Sequence, residues 1–101
     1  MKNKYPIICF SGSTKFKDEY FKLHKEYTLK GYITLIPAIF AKCGDIVTKE
    51  QQEELFKLHL EKIKISDILF VINKDGYIGD CSKIEIEYAK SLNKKIMYYE
   101  E

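Results

Sequence analysis

Hydrophobic and polar positions along the chain alternate between two kinds of pattern. Four short apolar runs have the length of strands: YPIICF (5–10), YITLIPAIF (32–40), DILFVIN (67–73) and KIMYY (95–99). Between them, apolar residues recur at helical spacing. Phe16, Tyr20, Leu23 and Tyr27 form one stripe, Leu55, Phe56, Leu58, His59 and Ile63 a second, and Ile84, Tyr88 and Leu92 a third. The predicted order is βαβαβαβ. The first and third runs are continuously apolar, as expected of strands covered on both faces. Gly31 after Lys30 and Asn93 after Leu92 are suitable helix stops.

Right-handed crossovers between such strands put helices on both faces of the sheet. The expected fold is therefore α/β, a Rossmann-like three-layer sandwich with a small, mainly parallel four-stranded sheet in the order 2-1-3-4, and residues 1–101 form a single domain. Ligands of these sheets bind outside the carboxyl ends of the strands, near the reversal between strands 1 and 3. Three loops meet that condition: SGST (11–14), residues 38–48 and KDGYIGDCS (74–82).

The last of these loops leads into a helix with an acid on its greasy side. At about 100° per residue, Ile84, Glu85, Tyr88, Ala89 and Leu92 share one face, and Lys83, Glu87 and Lys90 the other. Glu87 thus belongs to a solvated face with weak ion pairs. Glu85 points toward the core, near a helix N-terminus that favours negative charge. A polar group there must be paired, protonated or functional. It is either a structural carboxylate hydrogen-bonded to its surroundings or the centre of a site.

Other candidates cluster in the same loops. In SGST, Gly12 lets the backbone approach a ligand, while Ser13 or Thr14 caps the helix. Ser11, Gly12 and Ser13 make either an anion or sugar-hydroxyl site or a plain cap. The dinucleotide fingerprint GxGxxG and the P-loop lysine pattern are both missing. Gly76 and Gly79 flank Tyr77 in a loop that can form an amide-lined nest, with Tyr77 either at the mouth of the crevice or an exposed turn aromatic. His59 is a core histidine or a pocket residue able to move a proton near neutral pH. Cys81 and Ser82 open the third helix; there the helix dipole can activate the thiol, or Cys81 is simply a small helix-start residue. Asp67 suits a strand-end cap, Asp80 can face a ligand, and His24 lies half-exposed at the edge of its stripe.

Composition narrows the function classes. A net charge of +2, with lysines spread along every helix, gives no footprint for a nucleic acid polymer. Apolar runs of strand length flanked by charge give no membrane span or signal peptide. Cys9, Cys43 and Cys81 are odd in number and lack CxxC spacing, which argues against a disulfide framework or a zinc site and for a reducing cytoplasm.

Taken in order, FSGSTKFKDEY, LHLEKIKISDILFVIN and GYIGDCSKIEIEYA followed by KKIMYYE resemble the nucleoside 2-deoxyribosyltransferase-like family, which includes related deoxynucleotide N-glycosidases. The resemblance spans nearly the whole chain and rests on the combination of SGST, KI-x-x-(A/S)-D and YIG-x-x-x-x-x-E-I-x-Y-A. It implies that Glu85 is a nucleophile toward the anomeric carbon of a 2-deoxynucleoside or nucleotide. A covalent glycosyl-enzyme is then resolved by water or a second base. No cofactor or metal is implied, and neighbouring copies in a homo-oligomer complete the pocket. Two positions depart from the family pattern. His59 replaces an aspartate eight residues before Asp67, and Gly79 replaces one six residues before Glu85, with Asp80 next to it. His59 and Asp80 are therefore the candidates for the acid and sugar-positioning roles. The alternative is a non-catalytic module that senses or sequesters a nucleotide.

Overall fold

The computed structural model describes residues 5–38 and 48–100; Cys43 and most of the 38–48 loop lie outside them. Its elements run β1 (Ile7–Ser11), α1 (Lys17–Leu29), β2 (Ile33–Leu35), α2 (Lys49–Ile65), β3 (Ile68–Val71), α3 (Asp80–Ser91) and β4 (Lys95–Tyr98). The four strands form one parallel sheet in the order β2-β1-β3-β4, as the apolar runs predict. β1 and β3 are the inner strands and are almost wholly buried, whereas β2 and β4 are partly exposed.

Side chains alternate across the inner strands, and this sorts the core into two layers. Ile8, Phe10, Ile68, Phe70 and Ile72 face Phe16, Tyr20, Leu23 and Tyr27, so the predicted stripe of α1 is buried in full. Cys9, Leu69 and Val71 face Ile63 of α2 and Ile86 and Ala89 of α3. Ser11 continues the Cys9 register at the carboxyl end of β1, so its side chain points toward α2 and α3. That places a hydroxyl under the site described below.

Several boundaries differ from the apolar runs. β2 ends at Leu35 because Pro37 follows, and a proline supplies no ladder N–H. β1 begins at Ile7, where Asp67 Oδ2 accepts from the Ile7 N–H at 2.8 Å and ties the start of β1 to the start of β3. Thr48 and Gln51 form a reciprocal capping box that starts α2. Gly31 (φ 92) and Asn93 (φ 58) adopt left-handed backbone after α1 and α3. The N–H groups at 31–32 and 93–94 reach back to carbonyls of the preceding turn, so both residues act as the expected stops. Among the described residues, no helix is long and apolar enough to cross a membrane.

Candidate functional site

Glu85 reaches the site because of how α3 sits on the sheet. The buried face of α3 is Ser82, Glu85, Ile86 and Ala89, a run of i, i+3, i+4 and i+7. Glu85 is only 7% exposed, as its position on the wheel predicts. Ile84 is not on this face: it is 53% exposed, and Ile86 takes the core position instead. Leu58 of α2 is likewise outside, while His59 and Ile63 are buried. Glu87 lies on the solvated side, 3.4 Å from Lys90.

Two elements, β1 and α2, converge on one oxygen of Glu85 of α3. Ser11 at the end of β1 donates a hydrogen bond to Glu85 Oε1, and His59 Nε2 of α2 lies 3.5 Å from the same atom. Oε2 accepts no hydrogen bond among the described residues. His59 is itself buried, and its Nδ1 has no hydrogen-bond partner among the described residues. An orphaned buried nitrogen is uncommon in native proteins and calls for an explanation. His59 also lines the cavity described below, although Nδ1 itself is closed to solvent.

Two neighbouring groups are kept neutral. Burial, followed by the Glu85 charge, pushes the Cys9 thiol up to about 12, so Cys9 is a thiol rather than a thiolate although its Sγ lies 4.0 Å from His59 Nε2. A Cys/His nucleophile at this position is therefore not formed. Burial and the same charge raise the Tyr20 phenol well above its ordinary range, and its OH donates to the Gly12 carbonyl at 2.6 Å.

The cavity has a volume of about 610 Å³, within the usual range for small-molecule sites. Of the candidates from the sequence, Gly12, Ser13, His59, Tyr77, Gly79, Asp80, Cys81, Ser82 and Glu85 line it. Ser11 and Gly76 do not: Ser11 is fully buried beneath the floor, and Gly76 is exposed in the turn before Tyr77. The opposite wall consists of Pro37, Gln52, Leu55 and Phe56. The sequence pattern placed Leu55 and Phe56 in one helical stripe with Ile63; Ile63 is buried in the core, whereas Leu55 and Phe56 are half-buried and line the pocket. Gln52 belongs to the same stripe, three residues before Leu55 and seven before His59. No family model matches the chain, and no curated protein is significantly similar to it.

The floor requires a glycine at position 12. Its φ is +151, and a Cβ there would lie 2.9 Å from the Ile72 carbonyl oxygen. Gly12→Ala is expected to lower stability by about 2 kcal/mol or more, through backbone strain and overpacking together, and urea titration measures the loss. Ser13 caps the following 3₁₀ turn, accepting from the Lys15 N–H at 3.2 Å.

At the mouth, Tyr77 is 45% exposed and sits edge-on to Phe16, with Lys15 Nζ 3.7 Å from its ring centroid. Gly79 lies under this ring, since a Cβ there would come within 3.3 Å of the Tyr77 hydroxyl oxygen. The turn that carries Tyr77 uses left-handed backbone at Asp75 (φ 58) and Gly76 (φ 75). Lys74 Nζ anchors this turn to α1 through Glu19 at 2.9 Å. The Lys74 hydrogen bond holds the Glu19 carboxyl below its usual range. A carboxyl depressed in the folded state stabilises it above the unfolded pKa, and that stabilisation is lost as pH falls through the folded value. Glu19→Gln is therefore expected to lower the urea midpoint at pH 7, and the difference from the parent protein closes under acid conditions.

The remaining polar candidates lie elsewhere. His24 is exposed and hydrogen-bonded with Thr34 and Thr28, away from the cavity. The Asp80 side chain lines the rim but is 99% exposed, 3.9 Å from Lys83. Among the described residues, no three His, Cys, Asp or Glu side chains are grouped to hold a metal ion.

Proposed function

We propose that the protein cleaves the N-glycosidic bond of a (deoxy)nucleoside or nucleotide through a covalent glycosyl-Glu85 intermediate. The observation that carries this reading is the state of the Glu85–His59 pair. Among the described residues, Glu85 is a buried carboxyl with one oxygen hydrogen-bonded to Ser11 and the other without a hydrogen-bond partner, beside the buried imidazole of His59, a cavity-lining residue whose Nδ1 has no partner. A pair that served only to stabilise the fold would have no reason to leave the buried His59 Nδ1 unsatisfied. The resemblance of the YIG-x-x-x-x-x-E-I-x-Y-A segment to the deoxyribosyltransferase-like family supports the same assignment.

In the chemistry that follows, a lone pair of Glu85 Oε2 forms the bond to the anomeric carbon. The carbon–nitrogen bond to the base breaks, and its electron pair goes to the base. An anionic base leaves poorly, so a proton must reach a ring nitrogen as the bond breaks. Doubly protonated His59 can supply it from Nδ1 while Nε2–H stays on Glu85. In the second half, water or an acceptor base attacks the anomeric carbon, Nδ1 takes the proton released, and the bond to Glu85 breaks with its pair returned to the carboxylate. Water gives hydrolysis and a second base gives transfer. Leu55, Phe56 and Pro37 offer an apolar wall for the base. Assembly into a cytoplasmic homo-oligomer belongs to the same proposal.

The test is to incubate the protein and Glu85→Gln with deoxynucleosides, ribonucleosides and their 5′-phosphates, with and without a free acceptor base, and to follow released base by chromatography. Release by the parent protein alone supports the proposal. If neither protein releases base and both bind one compound tightly, the site is a non-catalytic nucleotide binder.

A further inference from the structure

We propose that Ser11 is a positioning residue that selects the reacting oxygen of Glu85; this rests on the nucleophile role proposed above. Ser11 is fully buried and does not line the cavity, so its hydroxyl is not available to a ligand. It donates to Glu85 Oε1, the same atom that His59 Nε2 approaches at 3.5 Å. A hydroxyl has one proton to give, and this one is committed to a carboxylate oxygen, the stronger class of hydrogen bond.

The placement follows from the strand. Alternation along β1 sends Ile8 and Phe10 to the α1 layer and Cys9 to the layer of α2 and α3, and Ser11 follows Cys9. Cys9 thus meets the His59 ring, while Ser11 meets the Glu85 carboxylate. An alanine in the same register would remove the hydroxyl and leave the oxygen with only the longer His59 contact.

A glutamate side chain turns about three bonds, and each rotamer aims its two oxygens differently. With Oε1 held from below by Ser11 and His59 Nε2 3.5 Å from the same atom, Oε2 is the oxygen presented to a sugar. Once the glycosyl ester forms at Oε2, Oε1 becomes its carbonyl oxygen and still accepts from Ser11. When water or an acceptor base breaks the anomeric carbon–Oε2 bond, negative charge returns to the carboxylate, and the Ser11 proton is already in place to receive it. Ser11 thereby assists both halves of the reaction without touching substrate.

The test uses Ser11→Ala, Ser11→Cys and Ser11→Thr, with the fold of each checked by thermal unfolding. Losing a hydrogen bond to a charged group lowers kcat by about 10–100-fold in Ser11→Ala. Ser11→Cys, similar in size but a weak donor, falls with it. KM changes by less than about 3-fold, because the hydroxyl does not contact substrate. Ser11→Thr, which keeps the hydroxyl, recovers most of kcat. Equal kcat in all four proteins, or a loss expressed in KM alone, overturns the proposal. A high-resolution crystal structure of Ser11→Ala provides a readout independent of turnover. Glu85 is expected to leave the rotamer it holds in the parent protein, and an unmoved Glu85 overturns the positioning role. If the parent protein releases no base, the glycosidase reading fails while this rotamer comparison still decides the role of Ser11.

Discussion

Replacing Glu85 by glutamine is expected to reduce base release by on the order of 10⁴-fold or more, the scale seen when the centre of a covalent mechanism is removed. The same change is expected to raise thermal stability. Glutamine keeps an acceptor for the Ser11 hydroxyl and nearly the same volume, so packing against Ile86 and Ala89 is preserved. What disappears is a negative charge in a residue only 7% exposed, held by one hydrogen bond and a 3.5 Å contact with His59. Keeping such a charge dehydrated is costly, and a neutral isostere relieves that cost. A gain of about 1 kcal/mol corresponds to about 4–8 °C in Tm for a domain of this size. Activity and melting curves of the two proteins measure both halves of this expectation. A glutamine variant that melts lower and keeps its activity would make Glu85 a structural carboxylate after all. Loss of activity with gain of stability is what a functional site at odds with its own fold produces.

The fold was legible in the sequence to the extent that hydrophobic periodicity carries it. Continuous runs marked β1 and β3 as inner strands, and Gly31 and Asn93 marked the ends of α1 and α3. The wheel put Glu85 correctly on the buried side of α3 yet misplaced Ile84. Isoleucine and glutamate alternate through 84–87, so several rotations of the helix fit nearly as well, and only the sheet beneath decides that Ile86 turns inward. Leu58 failed for a similar reason, because α2 is apolar over a wider arc than it buries.

The candidate site was legible residue by residue more than as an arrangement. Its loops could be found from the position of the reversal in a parallel sheet, and nine of the eleven candidates line the cavity. The contact of Ser11 with Glu85, 74 residues apart, could not be read from either local pattern. It depends on strand register and helix rotation together. The apolar wall of Leu55 and Phe56 was hidden because a pocket stripe and a core stripe have the same spacing. Whether a helix turn meets the sheet or projects past it is decided by where its cap falls. Here Thr48 and Gln51 start α2, Gln52, Leu55 and Phe56 of its first turns line the cavity, and Ile63 near its end is buried in the core.

His59→Asn is expected to slow base release by about 10²–10⁴-fold, the usual contribution of a positioned general acid, with a loss that depends on the leaving group. The dependence separates two roles that the geometry combines. His59 Nε2 lies 3.5 Å from Glu85, and Nδ1 has no partner among the described residues. If Nδ1 delivers a proton to the departing base, a substrate whose base leaves without protonation escapes most of the penalty. A 7-methylated purine nucleoside is such a substrate, because its base already carries positive charge and departs neutral. Kinetics of His59→Asn on an ordinary purine nucleoside and on its 7-methyl derivative should then differ by about 10-fold or more, and the parent protein should narrow that gap. Equal losses on both substrates would assign His59 to orienting Glu85 alone, with the proton coming from elsewhere in the cavity. Removing the imidazole should affect stability far less than activity. Its buried Nδ1 contributes no hydrogen bond, and its Nε2 contact with Glu85 is long for one.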